Sequence, residues 1–485
     1  MAEQSLKSKT VRGLGWSVAD IILNQGITFV VGIVLARLLS PSEYGLIGLI
    51  TIFITIFNAI IDSGFSNAVI RKKNATNDDY NTMFIVNIVA SIFLFGVLFF
   101  SAPLIADFFD RSELVALTRV MGVVLIINAL TITQNTILTK RIDFKTKTKA
   151  SLIASISSGV IGIAMAYMGY GVWALVWQQI SKQGIFTIFL WIFNKWWPTF
   201  KFSLESFQYM WGFGWKLLAS TILDTAWSQI YQVVVGKYYS PATLGQYSRS
   251  KEYASLFSSN LQSVIGRVSY PVLAEVQDDQ ERMCNIYRRI IRLTMFVTVV
   301  CMISLGAVSE PLIYSLIGSK WDMAANFLPL ICISLSLYPL HAINLNMLKV
   351  QGRSDLFLKL EIVKKFVAVG PICLGIFVGI YWMVAGSIVT GIIAFFLNSH
   401  YSGKMIGYSS WMQLQDIAPS YILAFTMAVI IFPIKYVIPN CYVALGVQVL
   451  VGIILFFILV RITKNAEFKE LMELAKPAIN KIRRK

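Results

Sequence analysis

The sequence predicts an all-α polytopic membrane protein of about 14 transmembrane helices, and three observations carry that prediction. Apolar runs of about 20 residues, the length that crosses a bilayer as a helix, recur along the whole chain. Only 14% of its 485 residues are charged, against about 25% in soluble domains. Lysine and arginine gather in every second connection between the runs. In hydrocarbon a backbone must satisfy its own hydrogen bonds, so a spanning segment is a helix or part of a closed barrel. Barrel strands alternate over about ten residues. These runs are continuous, and we read them as helices.

Taken in order, the spans fall at 13–37, 43–65, 81–106, 114–138, 150–170, 172–194, 208–236, 242–270, 288–309, 322–348, 357–380, 382–402, 417–438 and 441–462. The chain opens on polar Ser5-Leu6-Lys7-Ser8-Lys9, and its first apolar run is too long for a cleavable leader, so none is expected. Arg71-Lys72-Lys73, Lys140 to Lys149, Lys195 to Lys201, Arg282 to Arg292, Lys349 to Lys365 and Lys404 occupy alternate connections. Between them, Gly169-Tyr170-Gly171 and Gly379-Ile380-Tyr381 carry no basic residue. Basic connections stay in the cytoplasm. One missed span would invert every later connection, and the alternation holds throughout, which puts both termini inside.

The net charge of +17 follows this topology pattern and not a nucleic-acid-binding face, so no nucleic acid is expected as a partner. The cysteines (Cys284, Cys301, Cys332, Cys373 and Cys441) lack metal-ligand spacing and read as small core residues. No metal or cofactor is expected. After Lys464, Phe468, Leu471, Met472, Ala475, Ile479 and Ile482 recur at helical spacing among lysines and arginines. That is a basic amphipathic tail suited to an anionic leaflet.

The chain also resembles itself. Gly13-Leu14-Gly15-Trp16 returns as Gly212-Phe213-Gly214-Trp215, and Ser40-Pro41 with Gly45 returns as Ser240-Pro241 with Gly245. Pro103-Leu104-Ile105 returns as Pro311-Leu312-Ile313, and Arg141-Ile142-Asp143-Phe144 as Arg353-Ser354-Asp355-Leu356. The repeat unit holds six spans, an even number, so the halves run parallel. This divides the chain into an N-lobe (1–200, spans 1–6), a C-lobe (201–410, spans 7–12), two appended spans (411–463) and the tail (464–485). Paired bundles around a substrate site are a transporter architecture.

A charge at the bilayer centre costs about 2.5–3.5 kcal/mol on insertion scales, so each one asks for a reason. Span 1 carries Asp20, Asn24 and Gln25; span 7 carries Asp224, Ser228, Gln229 and Gln232. Lys182 lies near the middle of span 6 beside Gln178, Gln179 and Gln183. Span 8 has Arg249, Lys251 and Glu252 where the aligned residues of span 2 are Leu49, Thr51 and Ile52. We read Lys182, Arg249, Lys251 and Lys216 as candidate cations for an anionic substrate, and Asp20, Asp224 and Asn24 as candidates for a coupling ion. The plainer alternatives are an Arg249–Glu252 structural pair, interfacial anchoring by Lys216, Arg37 and Lys237, and a buried hydrogen-bonded His341. Pro339 and Pro371 are expected at kinks.

Leu244-Gly245-Gln246-Tyr247-Ser248-Arg249-Ser250-Lys251-Glu252-Tyr253, with Arg267-Val268-Ser269-Tyr270-Pro271 and Gln277-Asp278-Asp279-Gln280-Glu281-Arg282, resembles the polysaccharide-transport (Wzx-type) flippases of the multidrug/oligosaccharidyl-lipid/polysaccharide exporter superfamily. Ala36-Arg37-Leu38-Leu39-Ser40-Pro41-Ser42-Glu43-Tyr44-Gly45 is similar to the end of their first span, and the likeness covers residues 5–410. The resemblance implies two six-helix lobes in a V around a cationic cavity. It also implies flipping of undecaprenyl-pyrophosphate-linked oligosaccharide to the outer leaflet of a bacterial inner membrane by alternating access, for surface polysaccharides such as lipopolysaccharide. The expected driving force is the membrane potential with H⁺ or Na⁺ antiport through Asp20 or Asp224, and the expected partners are the lipid-linked oligosaccharide, the bilayer and other polysaccharide-assembly proteins. Arg249 is the position that the motif carries over; Lys251-Glu252 departs from the basic or aliphatic residues expected there. The competing readings are a multidrug exporter of the same superfamily and a membrane-embedded polymerase or glycosyltransferase. Cationic drugs favour an acidic site, and no hydrophilic loop here is long enough for a catalytic domain, so a transporter and not an enzyme is expected.

Reporter fusions test the topology. A phosphatase joined at Tyr170 or Ile380 should be active outside, and one joined at Lys145 or after Lys464 inactive; the same reading at Tyr170 and Lys145 would overturn the span count.

Overall fold

Every regular element is helical among the described residues of the computed structural model, which describes residues 2–62, 64–276 and 279–483. Gln277 and Asp278 of the motif, and Arg484 and Lys485 of the tail, lie outside the described residues. The chain forms two compact units, Met1–Gly245 and Gln246–Lys485. The first holds α1 (Ala2–Leu38), α2 (Pro41–Asp62), α3 (Phe65–Arg71), α4 (Asn77–Phe109), α5 (Leu114–Met121), α6 (Val123–Lys140), α7 (Phe144–Tyr167), α8 (Val172–Asn194), α9 (Leu204–Tyr238) and the first turn of α10 (Pro241–Glu275). The second holds the rest of α10, then α11 (Gln280–Ala307), α12 (Ser309–Ile317), α13 (Asp322–Ser336), α14 (Tyr338–Val350), α15 (Ser354–Val367), α16 (Val369–Phe377), α17 (Ile380–Ile406), α18 (Ser410–Ile431), α19 (Ile434–Val437), α20 (Cys441–Ile462) and α21 (Ala466–Arg483).

Ten helical segments among the described residues are long and apolar enough to cross a membrane, and they coincide with ten of the windows read from the sequence. The remaining windows lie on α8, α9, α10 and α15–α16. Three of those helices, α8, α9 and α10, carry Lys182, Lys216 with Asp224, and Arg249 with Lys251. Polarity and the candidate site residues therefore coincide.

Local chemistry explains where helices start and break. Ser40 and Ser240 stand just before α2 and α10, each followed by proline at the first helical position, where its missing N–H costs nothing. The Ser40 hydroxyl accepts from the Glu43 N–H, while the Glu43 carboxylate accepts from the Ser40 N–H at 2.6 Å. In the second copy the Ser240 hydroxyl accepts from the Thr243 N–H at 3.2 Å. Pro339 and Pro371 follow interruptions at Leu337 and Ala368, as expected from a residue that lacks a donor and crowds the preceding turn. Pro103, Pro329 and Pro419 are accommodated inside α4, α13 and α18.

In the first unit α7 packs on α1 and α8, α6 on α4 and α8, and α9 on α2, α3 and α4. The 195–203 connector into α9 is pinned by side chains. Asn81 donates to the Thr199 hydroxyl at 2.7 Å and accepts from its N–H at 2.8 Å, and Thr82 accepts from the Ser203 N–H at 3.0 Å. Gln134 donates to the Trp196 carbonyl at 2.9 Å. At the other end of α9 the first turns of α2 and α10 meet reciprocally. A Cβ on Gly45 would overlap the Pro241 carbonyl, and one on Gly245 would overlap that of Pro41.

In the second unit α11 packs on α13 and α18, and α17 on α13, α14 and α16. A buried polar knot ties α11, α14, α17 and α18: Tyr287 donates to Asn344 at 2.7 Å, Ser402 donates to Asn344 at 2.5 Å, and Asn344 donates to Gln413 at 3.2 Å. Helix α21 docks on α11 through Arg292–Glu467 and Arg289–Glu470. Phe468 and Leu471, on the apolar side of the amphipathic tail, pack against Met427, Ile431 and Val460; Phe468 meets the rings of Phe456 and Phe457 edge-on. Met472 is exposed.

The reciprocal crossing predicts a position-specific cost. Gly45→Ala and Gly245→Ala should each lower the detergent-state melting stability by about 1–3 kcal/mol, while Gly96→Ala, with nothing near its Cβ, should not. Equal melting curves for all three variants would refute the crossing.

Candidate functional site

Three of the sequence candidates come together in the first unit. Asp20, Asn24 and Thr28 recur every four residues on α1 and so share one face. Opposite them on α7 stand Lys147, Ser151 and Ser155 at the same spacing. Asp20 Oδ1 accepts from Asn24 Nδ2 at 2.6 Å and from the Ser151 hydroxyl at 2.6 Å. Asn24 Oδ1 accepts from the Ser155 hydroxyl at 2.8 Å. One turn further along α1, the Thr28 hydroxyl accepts from Lys182 Nζ of α8 at 3.3 Å. From Asp20 to Thr28 the stripe rises about 12 Å at helical pitch. Lys147, Asp20, Asn24, Thr28 and Lys182 are all half-buried.

The residues beside Lys182 turn elsewhere. Gln183 donates to Thr131 at 3.2 Å, and Thr131 in turn meets Thr187 at 2.5 Å, so this cluster joins α8 to α6. Gln178 lies over Gly162, where a Cβ would meet its side chain. Lys216 and Asp224 are both exposed on α9, and the Lys216 ammonium is 5.9 Å from the Trp215 ring centre.

Arg249 and Lys251 belong to the second unit. Arg249 is 7% exposed, and its Nη1 donates to Glu252 Oε2 at 2.7 Å. Glu252 is half exposed, so the pair is partly solvent-screened and its net contribution is modest. The neighbouring motif residues serve packing. Gln246 donates to the Lys320 carbonyl at 2.7 Å and accepts from the Ala324 N–H at 2.9 Å, and Tyr247 meets Phe327 edge-on. These contacts seat α10 against α13 and present Arg249 from a fixed helix.

Sequence reading missed Lys147, Ser151, Ser155 and Thr28. Their signal was available: Lys147, Ser151 and Ser155 are spaced by four, matching Asp20, Asn24 and Thr28. Chemically, the stripe offers one carboxylate, one amide and three hydroxyls between two ammonium groups. Such a set can hold a proton or a small cation at Asp20 and meet an anion at either end.

The polysaccharide biosynthesis protein family profile matches residues 34–326. The chain is 23% identical over 488 residues to the succinoglycan biosynthesis transport protein ExoT of Rhizobium meliloti (strain 1021), covering 97% of each chain. It is 22% identical over 444 residues to the lipopolysaccharide biosynthesis protein WzxC of Escherichia coli (strain K12), covering 88% of this chain and 89% of that one. Its fold is similar to that of the lipid II flippase MurJ in an inward closed conformation, with a TM-score of 0.72 at 15% identity over 95% of this chain and 100% of that chain. A multidrug resistance MATE family transporter of the MOP superfamily, inward-facing, gives a TM-score of 0.58 at 16% identity over 79% of this chain and 98% of that chain.

Asn24 is the joint of the stripe, and its removal should show. Asn24→Leu strands the Ser155 hydroxyl and takes one donor from Asp20, at a cost of about 1–3 kcal/mol. In a double-mutant cycle with Ser155→Ala, read from melting curves, the two changes should couple by at least about 0.5 kcal/mol. Strict additivity would count against the bond.

Proposed function

This chain belongs to the polysaccharide biosynthesis protein family, and from that premise we propose that it is a flippase carrying a prenyl-diphosphate-linked oligosaccharide from the cytoplasmic to the outer leaflet of a bacterial inner membrane. Both termini then lie in the cytoplasm, on the side where the basic connections gather. One observation carries the reading: within the family-matched residues, Lys182 is half-buried at one end of the polar stripe and Arg249 is buried on α10.

The physics supports it. A diphosphate cannot enter hydrocarbon bare, because desolvating an unpaired charge costs far more than binding returns. Charge-assisted hydrogen bonds from lysine and arginine replace its hydration. The prenyl chain remains in lipid throughout. With the cytoplasm negative, moving an anion outward is favoured by about 2.3 kcal/mol per charge per 100 mV. Alternating access between the repeat lobes would move the headgroup, with Lys216 and Lys251 extending the cation set and Asp20, Asn24 and Asp224 offering sites for H⁺ or Na⁺ coupling. The substrate is relocated and not lengthened, so no catalytic step is assigned. A fold shared with multidrug transporters does not separate the two activities; an excess of cations over anions at the candidate positions favours an anionic cargo.

The test is to delete the gene, keep the glycosyltransferases, and locate the lipid-linked units by leaflet-specific labelling. Complete units should remain on the cytoplasmic leaflet. Lys182→Ala and Arg249→Ala should accumulate as folded protein yet flip about 10-fold more slowly or worse. Units that reach the outer leaflet without the protein would refute the flippase, and full rate in the double variant would refute the role of these cations.

A further inference from the structure

The second unit holds an apolar cavity of about 420 Å³ where α11, α13 and α18 meet. Gly306 and Ala307 line it from α11, Pro329 from α13, and Ala428, Val429 and Phe432 from α18 and its cap. A Cβ on Gly306 would meet Pro329 Cα at 3.3 Å, so α11 and α13 cross closely on one side of the space. On the other side Val429 and Phe432 are exposed, which leaves the cavity open to hydrocarbon. An apolar space this size excludes water, and left empty it forfeits the packing of its walls. A lipid chain fills it with no polar group to desolvate. One ion pair stands at the rim. Lys435, three residues beyond Phe432, holds its ammonium 4.1 Å from that ring's centre and pairs with Glu310, three residues beyond Ala307. The lysine is nearly buried, whereas the carboxylate keeps open surface. On the topology read from the basic connections, α11 and α18 run outward from Arg282 and Lys404, so cavity and pair both lie at the outer leaflet.

We propose that this cavity is a phospholipid site, which takes one acyl chain of an outer-leaflet lipid whose phosphoethanolamine headgroup lies on the Lys435–Glu310 pair. The lysine meets the phosphate, and the carboxylate accepts N–H bonds from the ammonium, so headgroup and pair match charge for charge. An anionic headgroup would set its charge against Glu310 with no cation to offset it. A trimethylated headgroup has no N–H to donate. The bound chain packs against three helices at once and closes a wall that the protein's own side chains leave open. This lipid stays in place and is not cargo, so the site stands apart from the flippase reading.

Native mass spectrometry of the full-length protein, delipidated in detergent and titrated with phosphatidylethanolamine, tests this. The native protein should hold that lipid about 10-fold more tightly than phosphatidylcholine or phosphatidylglycerol with the same chains. Val429→Trp sets an indole in the mouth of the cavity and should lose the lipid while keeping the native melting curve. Glu310→Gln leaves the packing untouched, so it serves even where the tryptophan variant does not fold; it should still bind the lipid but without preference among the three headgroups. Undiminished binding by folded Val429→Trp overturns the cavity as the site. Equal binding of the three lipids by the native protein, or an unchanged preference in Glu310→Gln, overturns the role of the pair. Displacement of phosphatidylethanolamine by farnesyl diphosphate would assign the cavity to a prenyl tail and overturn the proposal as well.

Discussion

A polar group placed in hydrocarbon must find its partner within the protein, and both units are organised by that requirement. Backbones meet it by coiling into helices. Side chains meet it by pairing across helices, and two kinds of pairing result. The Tyr287–Asn344–Ser402–Gln413 knot is uncharged and closed to solvent, so it fastens α11, α14, α17 and α18 and offers nothing to a ligand. The Asp20–Asn24–Ser155 stripe is charged at several points and only half-buried along α1. Closure and charge together separate a fastening from a site.

The internal repeat shows what duplication keeps and what it releases. Both copies keep a capping serine, a proline at the first helical position and a glycine one turn later, because those residues set the start of a helix and its closest crossing. The helix surface beyond that turn was free to diverge. Leu49 in the first copy is buried among apolar neighbours, whereas its counterpart Arg249 is buried on an ion pair with Glu252. A shared scaffold thus carries different chemistry in its two halves.

Much of this was legible in the chain itself, for physical reasons. Span positions follow from bilayer thickness, which imposes a run length that few other constraints produce. Asp20, Asn24 and Lys182 stood out because each is costly where it lies. Lys147 did not, since a lysine in a basic connection already has an explanation in topology. Ser151 and Ser155 were equally quiet, because serines inside helices commonly bond their own backbone. The motif around Gln246 and Tyr247 marks the family, yet its side chains mostly seat α10, a distinction that needs the packing partners Lys320, Ala324 and Phe327. The docking of α21 was hidden for another reason: its partners lie far back in the chain, and the basic residues around Glu467 and Glu470 dominated the reading.

That docking has a consequence for how the second unit is made. Arg289 and Glu470 are separated by 181 residues, and Arg292 and Glu467 by 175. Contacts this distant in sequence form late, since the chain between them must be ordered before they are rewarded. Until residues 467–470 are made, Arg289 and Arg292 of α11 lack these carboxylate partners, and the Phe456 and Phe457 rings of α20 lack Phe468. The contact of α21 on α11 therefore closes only after the helices between them are made, and residues 467–471 work as a late fastener on this unit.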